Sequence, residues 1–203
     1  MAAVTPEIST VPPTAAHPFP RPPRTIVPLA GLPIVGVVIA FLIVSLAGNW
    51  LWALDFYHVA GGGLWTAIDL FVGLVIGPIL GRLSVQARAE FSAWFMPKML
   101  LLMPTLVTMT LGSGFQLARH LGYLDSSYPR HAWVVASFIL VGAMAVIALG
   151  ILEPANLAVL FEMRKPQPNG ELIGRLMRRF VYTAGITGVM QVGTLIIMTR
   201  IAT

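Results

Sequence analysis

Residues 132–152 read AWVVASFILVGAMAVIALGIL, a run without a charged side chain. A helix of about 20 consecutive apolar residues crosses a hydrocarbon core of roughly 30 Å. Comparable runs occur at about 26–53, 56–80, 98–118 and 180–198. Lipid tolerates only helices and closed barrels, and barrel strands alternate in polarity. The five unbroken runs therefore predict an all-α, polytopic transmembrane helical bundle.

The composition is that of a membrane protein. Of the 203 residues, 57% are hydrophobic and 10% are charged, whereas about 25% of the residues in soluble domains are charged. We therefore expect one membrane domain over residues 25–203. Cysteine is absent, which excludes disulfides, thiolate metal ligands and thiol nucleophiles. The formal net charge of +5 does not indicate nucleic acid, because the basic residues lie at helix ends rather than in one stripe.

Residues 1–24 differ from the rest of the chain. They contain seven of the sixteen prolines among small and polar residues, which is typical of a disordered tail. The arginines of this segment, Arg21 and Arg24, lie just before the first apolar run. That run is longer than the apolar core of a secretory signal, which has about 7–15 residues. We interpret it as an uncleaved first helix.

Lysine and arginine are distributed unequally between the two sides that five alternating spans define. One side collects ten of them, namely Arg21, Arg24, Arg82, Arg88, Lys98, Arg164, Lys165, Arg175, Arg178 and Arg179. The other side has Arg119, Arg130 and Arg200. Cytoplasmic loops carry an excess of Lys and Arg, so this asymmetry predicts a cytoplasmic N-terminus and a bacterial inner membrane as the location. The aromatic segment 82–97 is expected to lie on the inner leaflet.

Asp69 is the polar residue nearest the middle of the second span. A carboxylate at that depth costs about 2.5–3.5 kcal/mol, so it must face the bundle interior, be protonated or find donors. Candidate partners on the third and fifth spans are Thr105, Thr108, Gln116, Tyr182, Thr187 and Gln191. Two interpretations stay open, a proton relay or ligand contact and a neutral acid that hydrogen bonds between helices.

Three histidines, His58, His120 and His131, fall at the outer ends of the second, third and fourth spans. Neutral imidazole is a common metal ligand, and three imidazoles at similar depth predict a site for copper, zinc or haem iron. Arg119 is a candidate partner for a haem propionate, and snorkelling to the headgroups is its competing role. The glycines at 61–63 leave room beside His58 for a flat ligand.

Other polar and small residues of the spans have structural interpretations. Gly73, Gly77 and Gly81 repeat at four-residue intervals, which predicts the close approach of a neighbouring helix. Glu153 and Asn156 flank a proline in the fourth span. We expect them to cap or kink that helix without taking part in chemistry, and a helical continuation is expected beyond the proline.

The second span carries Phe56-Tyr57-His58, then Val-Ala-Gly-Gly-Gly-Leu, then Trp65, and shortly afterwards Leu70-Phe71. This pattern resembles the His-x6-Trp helix of the CopD-like and HemJ-like membrane families. Those families are small helical bundles associated with copper handling and with haem-linked protoporphyrinogen oxidation. The resemblance covers the second and third spans, and it implies a ligand role for His58 and a packing role for Trp65.

Three functions fit these residues, in order of preference. The first is binding of haem b or a metal ion such as copper through the outer histidines, with Asp69 handling a proton. The second is a non-catalytic accessory or scaffold subunit of a larger membrane complex or homo-oligomer, packed through its glycine rows. The third is a small proton-coupled transporter. No Walker loop, dinucleotide fingerprint, HExxH or GxSxG motif occurs, so the sequence supports no conventional soluble-enzyme chemistry.

Overall fold

The computed structural model describes residues 27–203, so the tail predicted over residues 1–24 lies outside the described residues. The described range folds into five long helices and contains no strand. The helices are α1 Leu29–Gly48, α2 Leu51–Arg82, α3 Val85–His120, α4 His131–Met163 and α5 Gly170–Ala202. Each is long and apolar enough to cross a membrane, which confirms the prediction of an all-α fold with five candidate spans.

Successive helices run in opposite directions, so the bundle has two ends. The arginine-rich end contains the α2–α3 turn and the α4–α5 loop, and the histidine end contains the α1–α2 turn and the α3–α4 loop. At the first end, the rings of Phe95 and Phe180 pack edge-on with their centroids 6.5 Å apart. At the second end, the Tyr128 hydroxyl donates to the carbonyl oxygen of Ile201 at 3.2 Å. These contacts join α3 or its loop to α5 at both ends.

Local capping explains where the helices begin and end. α1 ends at Gly48 because Asn49 adopts a left-handed conformation with φ of 49°, which asparagine tolerates better than most residues. The Ser84 side chain caps α3 by accepting a backbone N–H at 3.2 Å. Asn169 caps α5 by accepting two backbone N–H groups, both at 3.0 Å.

The helix boundaries differ from the predicted spans. The predicted first span, 26–53, contains the turn at Asn49, and the residues from Leu51 onward belong to α2. From Val85 onward the segment 82–97 is the first part of α3, and its place on the inner leaflet stays a prediction. Backbone hydrogen bonds extend a helix through turns that are too polar to belong to an apolar run, so α3 and α5 both begin before their predicted spans.

Two prolines follow π-helical turns. Val72–Ile76 in α2 and Ala148–Leu152 in α4 are π-helical, and each turn ends two residues before a proline, Pro78 or Pro154. Proline lacks an N–H and its ring clashes with the preceding α-helical turn, so a wider turn at this point lets the helix continue. α4 does continue, to Met163, which confirms the predicted helical extension beyond the proline.

The core is richest in the arginine-rich half, where α3, α4 and α5 meet. Its fully buried side chains include Met96, Val159, Leu160, Met163, Ile173 and Met177. α1 lies at the periphery and joins α2 and α3 through a smaller cluster that contains Leu42 and Tyr57. The Tyr57 hydroxyl donates to the carbonyl oxygen of Val38 at 2.9 Å, which ties α1 to α2.

Glycines bring α2 and α5 into close contact. A Cβ atom at Gly73 would collide with the backbone of Gly185, and one at Gly77 would collide with the side chain of Val181. A Cβ atom at Gly81 would meet no described atom within 4 Å outside its own helix. The predicted packing role therefore holds for the first two glycines of the row, and Gly81 faces open space.

Candidate functional site

Asp69 is buried near the middle of the bundle, where α2 meets α5. The residue is 2% exposed. Thr187 Oγ1 donates to Asp69 Oδ2 at 3.0 Å, and Gln191 Nε2 donates to the same oxygen at 2.9 Å. The Trp65 side chain, one turn earlier on α2, lines a cavity together with Asp69. Thr187 and Gln191 are four residues apart and so share one face of α5, and both were among the predicted partners.

The other predicted partners of Asp69 make their contacts elsewhere. Thr105 and Thr108 each donate to a carbonyl oxygen of their own helix at 2.7 Å. Gln116 donates to Asn49 Oδ1 at the histidine end, and Tyr182 is exposed. The Asp69 carboxyl therefore joins α2 to α5 and makes no polar contact with α3.

The contacts of His58 determine its tautomer. His58 Nδ1 lies 2.9 Å from the backbone carbonyl oxygen of Thr110 on α3. A carbonyl oxygen only accepts hydrogen bonds, so Nδ1 carries a proton. In the neutral imidazole, Nε2 then keeps its lone pair. Metal-ligating histidines are oriented in this way, with one ring nitrogen donating to a carbonyl and the other left for the ligand.

Gly114 makes this approach possible. It lies one turn after Thr110 on α3, and a Cβ atom there would collide with the imidazole ring of His58. The glycines at 61–63, which were predicted to leave room beside His58, do not provide that room. A Cβ atom at Gly61 would lie 2.7 Å from the Thr110 hydroxyl, and Gly63 faces open space. The room for the imidazole comes from α3 and not from the glycine triplet.

His58 lines two neighbouring cavities at the histidine end, with volumes of about 260 and 150 Å³. Both cavities also contact Thr110 and Met198, and most of their remaining walls are apolar side chains of α2 to α5. Asp55 and Tyr123 add polar groups to the larger cavity. A ligand in these cavities would contact His58 and would be surrounded mostly by apolar side chains.

Tyr123 lies in the loop between α3 and α4, at the edge of the larger cavity. Burial raises the pKa of its phenol, and Tyr128, whose ring stacks on it at a centroid distance of 4.6 Å, raises the pKa further. Arg130 opposes this increase. The phenol is therefore a neutral hydroxyl at physiological pH, able to donate or accept a hydrogen bond.

The remaining predicted ligands do not join His58. His120 and Arg119 are exposed at the end of α3 and line neither cavity. His131 is half-buried at the start of α4, and its Nδ1 has no hydrogen-bond partner among the described residues. Within residues 27–203, no group of three or more His, Cys, Asp or Glu side chains is placed to hold a metal ion. Similar depth along separate helices does not bring side chains together, because each helix presents its own face.

Trp65 connects the two polar regions of α2. It is 4% exposed, lines the smaller cavity beside His58 and also lines a cavity with Asp69. The resemblance implies a packing role for this residue, and its burial is consistent with that role. Its place beside Asp69 follows from the four-residue spacing of the two side chains on one helix face.

Glu153 and Asn156 do not cap a helix. The cap position before this part of α4 is held by Leu152, without a side-chain hydrogen bond. Both polar residues instead line a third cavity, of about 130 Å³, together with Asp69 and Thr187. The neighbouring proline favours a local role for both residues in the sequence. The signal for a shared site was their three-residue spacing, which places them on one helix face.

Comparison of the chain with protein-family models, curated proteins and solved structures finds no match. The candidate residues therefore rest on the geometry of this chain. The resemblance of the second span to the CopD-like and HemJ-like families stays a prediction.

Proposed function

We propose that the protein is a multi-pass protein of the bacterial inner membrane, with its arginine-rich end in the cytoplasm. Five helices long and apolar enough to cross a bilayer support insertion. Of the Lys and Arg residues within 27–203, eight lie toward the arginine-rich end and three toward the histidine end, which supports this orientation. Exposed tryptophans at both ends, Trp52 and Trp94, suit the two interfacial aromatic belts.

Single cysteines test this orientation cleanly, because the natural chain has no cysteine. Ser126 is exposed in the α3–α4 loop and Gln167 in the α4–α5 loop. In intact spheroplasts, we expect a membrane-impermeant maleimide to label Ser126→Cys, and to label Gln167→Cys only after the membrane is opened. Labelling of both variants from outside, or of Gln167→Cys alone, contradicts the proposed topology.

We further propose that the histidine end binds haem b, which His58 would hold through Nε2. The observation that carries this proposal is the hydrogen bond from His58 Nδ1 to the Thr110 carbonyl oxygen, which leaves Nε2 available. Met198 lines both adjoining cavities, and its thioether would be a candidate second ligand. Haem bound here would supply one-electron chemistry.

The residues present suit haem better than a bare copper or zinc ion. A zinc ion takes about three or four protein ligands, and the described residues contain no such group. A porphyrin brings its own four nitrogens to the iron, so one or two protein ligands suffice. The cavities of about 260 and 150 Å³ adjoin, since His58, Thr110 and Met198 line both of them.

Haemin titration of the purified protein tests the haem proposal. We expect wild-type protein in mild detergent to give a saturable shift of the Soret band. His58→Ala is expected to weaken haemin binding by more than about 100-fold, since loss of a ligand costs more than the 10–100-fold typical of its outer-shell partners. His120→Ala is the matched control, because that side chain is exposed outside the cavities. An unshifted band with wild-type protein, or equal binding by His58→Ala, refutes the proposal.

A further inference from the structure

The cavity beside Asp69 is a different one from the two cavities of His58, and it shares Trp65 and Leu111 with the smaller of them. It has a volume of about 130 Å³ and is lined by residues of α2, α3, α4 and α5. Its lining side chains with polar groups are those of Trp65, Asp69, Glu153, Asn156 and Thr187, and most of its other walls are apolar. Two carboxyl groups from different helices thus line one largely apolar space.

Asn156 shows that this cavity needs a hydrogen-bond donor. The residue is 1% exposed, and its Oδ1 has no hydrogen-bond partner among residues 27–203. Gln191 Oε1, on the amide that contacts Asp69, is also buried without a partner in that range, and Gln191 lines the smaller cavity of His58. A buried acceptor without a donor costs about 1–3 kcal/mol. Water or a carboxylic acid O–H would satisfy it, and a cavity of this size with several polar groups is large enough for water.

The charges around the cavity favour a bound proton. Asp69 on α2 and Glu153 on α4 are the titratable residues among those that line it. The lining residues of α3 are apolar, with Met103 and Pro104 among them, and α5 contributes Thr187 as its polar lining residue. No described lysine or arginine therefore faces the cavity. A carboxylate in this largely apolar space would have no described cation beside it, and a proton removes the cost of burying that charge.

Thr187 allows Asp69 to exist in either protonation state. Its hydroxyl lies 3.0 Å from Asp69 Oδ2 and also 2.9 Å from the carbonyl oxygen of Ala184. The hydroxyl has one proton and two lone pairs. It donates to Asp69 when the carboxyl is ionised, and it accepts from Asp69 while donating to Ala184 when the carboxyl is protonated.

A π-helical turn lies close to each of the two acidic residues. Asp69 lies three residues before the π-helical turn Val72–Ile76, and Glu153 immediately follows the turn Ala148–Leu152. The proline after each turn lacks an N–H, so each helix has a carbonyl oxygen without its usual donor. Turns of this kind occur frequently at functional sites.

We propose that Asp69 and Glu153 form an internal proton-binding site, in which a proton from the aqueous phase is shared through water with Asn156 and Thr187. The proton joins a carboxylate oxygen on uptake and returns to water on release, so no other reactant is needed. The site does not depend on haem binding. Its ligand is the proton, and a monovalent cation such as Na⁺ is the competing occupant.

Dicyclohexylcarbodiimide tests this site, because the reagent dissolves in lipid and reacts with the protonated acid. The acid proton goes to a carbodiimide nitrogen and the carboxyl oxygen bonds to the central carbon. In proteoliposomes, we expect peptide mass spectrometry to find the adduct at Asp69 or Glu153, with labelling that falls as pH rises. Glu171, exposed at the start of α5, is the internal control and is expected to remain unlabelled.

Isosteric variants and added Na⁺ distinguish a bound proton from a bound cation. Asp69→Asn with Glu153→Gln is expected to abolish labelling and to remove the infrared carbonyl band of a protonated carboxyl. Added Na⁺ at constant pH is expected to leave labelling unchanged. Protection by Na⁺ would assign the site to a cation and overturn the proposal. The proposal also fails if neither residue is labelled and the wild-type protein lacks the infrared band that the double variant removes.

Discussion

Gly73→Ala is expected to destabilise the folded protein by about 1–3 kcal/mol, the usual cost of overpacking a well-packed interface. A Cβ atom at this position would collide with the backbone of Gly185. Backbone atoms cannot rotate away as the end of a flexible side chain can, so α2 and α5 would have to separate. The Asp69 hydrogen bonds to α5 lie about one turn away and would be strained by the same movement. Thermal unfolding in detergent, followed by tryptophan fluorescence, measures the effect.

Two matched glycine variants test whether the collision at Gly73 causes the loss of stability. Gly185→Ala is expected to cost less, because its Cβ atom would lie 3.3 Å from the Cα atom of Gly73, a distance that a small shift can relieve. Gly81→Ala, in the same row as Gly73, is expected to be neutral or to stabilise by up to about 1 kcal/mol, because alanine has the higher helix propensity. If Gly81→Ala proves as destabilising as Gly73→Ala, the glycine-mediated contact between α2 and α5 is wrong.

Gly114→Ala is expected to weaken haemin binding by about 10–100-fold, the usual cost of disturbing the group that orients a metal-ligating histidine. The new Cβ atom would occupy the space of the His58 imidazole and push the ring away from the Thr110 carbonyl oxygen. The Nδ1 proton then loses its acceptor, and Nε2 no longer has a fixed direction. Haemin titration and the position of the Soret band measure the effect.

Gly112→Ala is the control for this variant. It lies two residues earlier on α3, and its Cβ atom would meet the nearest described side chain, that of Leu42, at 3.9 Å, an ordinary contact. We expect it to bind haemin as the wild type does. Thermal stability gives a second readout that does not need haem, and Gly114→Ala is expected to be the less stable of the two. Equal stability and equal haemin affinity would show that His58 is not held as described.

Sequence reasoning was most successful where one helix decides the result. The apolar run at 132–152 predicted a helix, and two of the six candidate partners of Asp69, Thr187 and Gln191, do contact it. It was less successful for contacts that depend on how two helices pack against each other. Gln116 was an equally good candidate partner by composition, but it contacts Asn49 at the histidine end.

The residues that shape the candidate sites were the hardest to recognise. Gly114 was one of 19 glycines in the sequence, and its role appears only when the imidazole of His58 is placed against it. Glu153 and Asn156 had a sufficient local explanation in the neighbouring proline. Their shared cavity with Asp69 depends on how α2 and α4 are rotated about their own axes, which helical periodicity within one segment does not specify.

The sequence by itself determined that the chain is helical, that its long helices number five and that its positive charge is concentrated at one end. Those properties follow from apolar run length, from backbone hydrogen bonding in lipid and from the positions of Lys and Arg along the chain. Only the tertiary structure decided that His58 meets Thr110 while His120 and His131 stay apart from it, and that Asp69 shares a cavity with Glu153. Contacts between helices depend on shape complementarity between side chains distant in sequence, and glycine at a few positions decides how closely two helices approach.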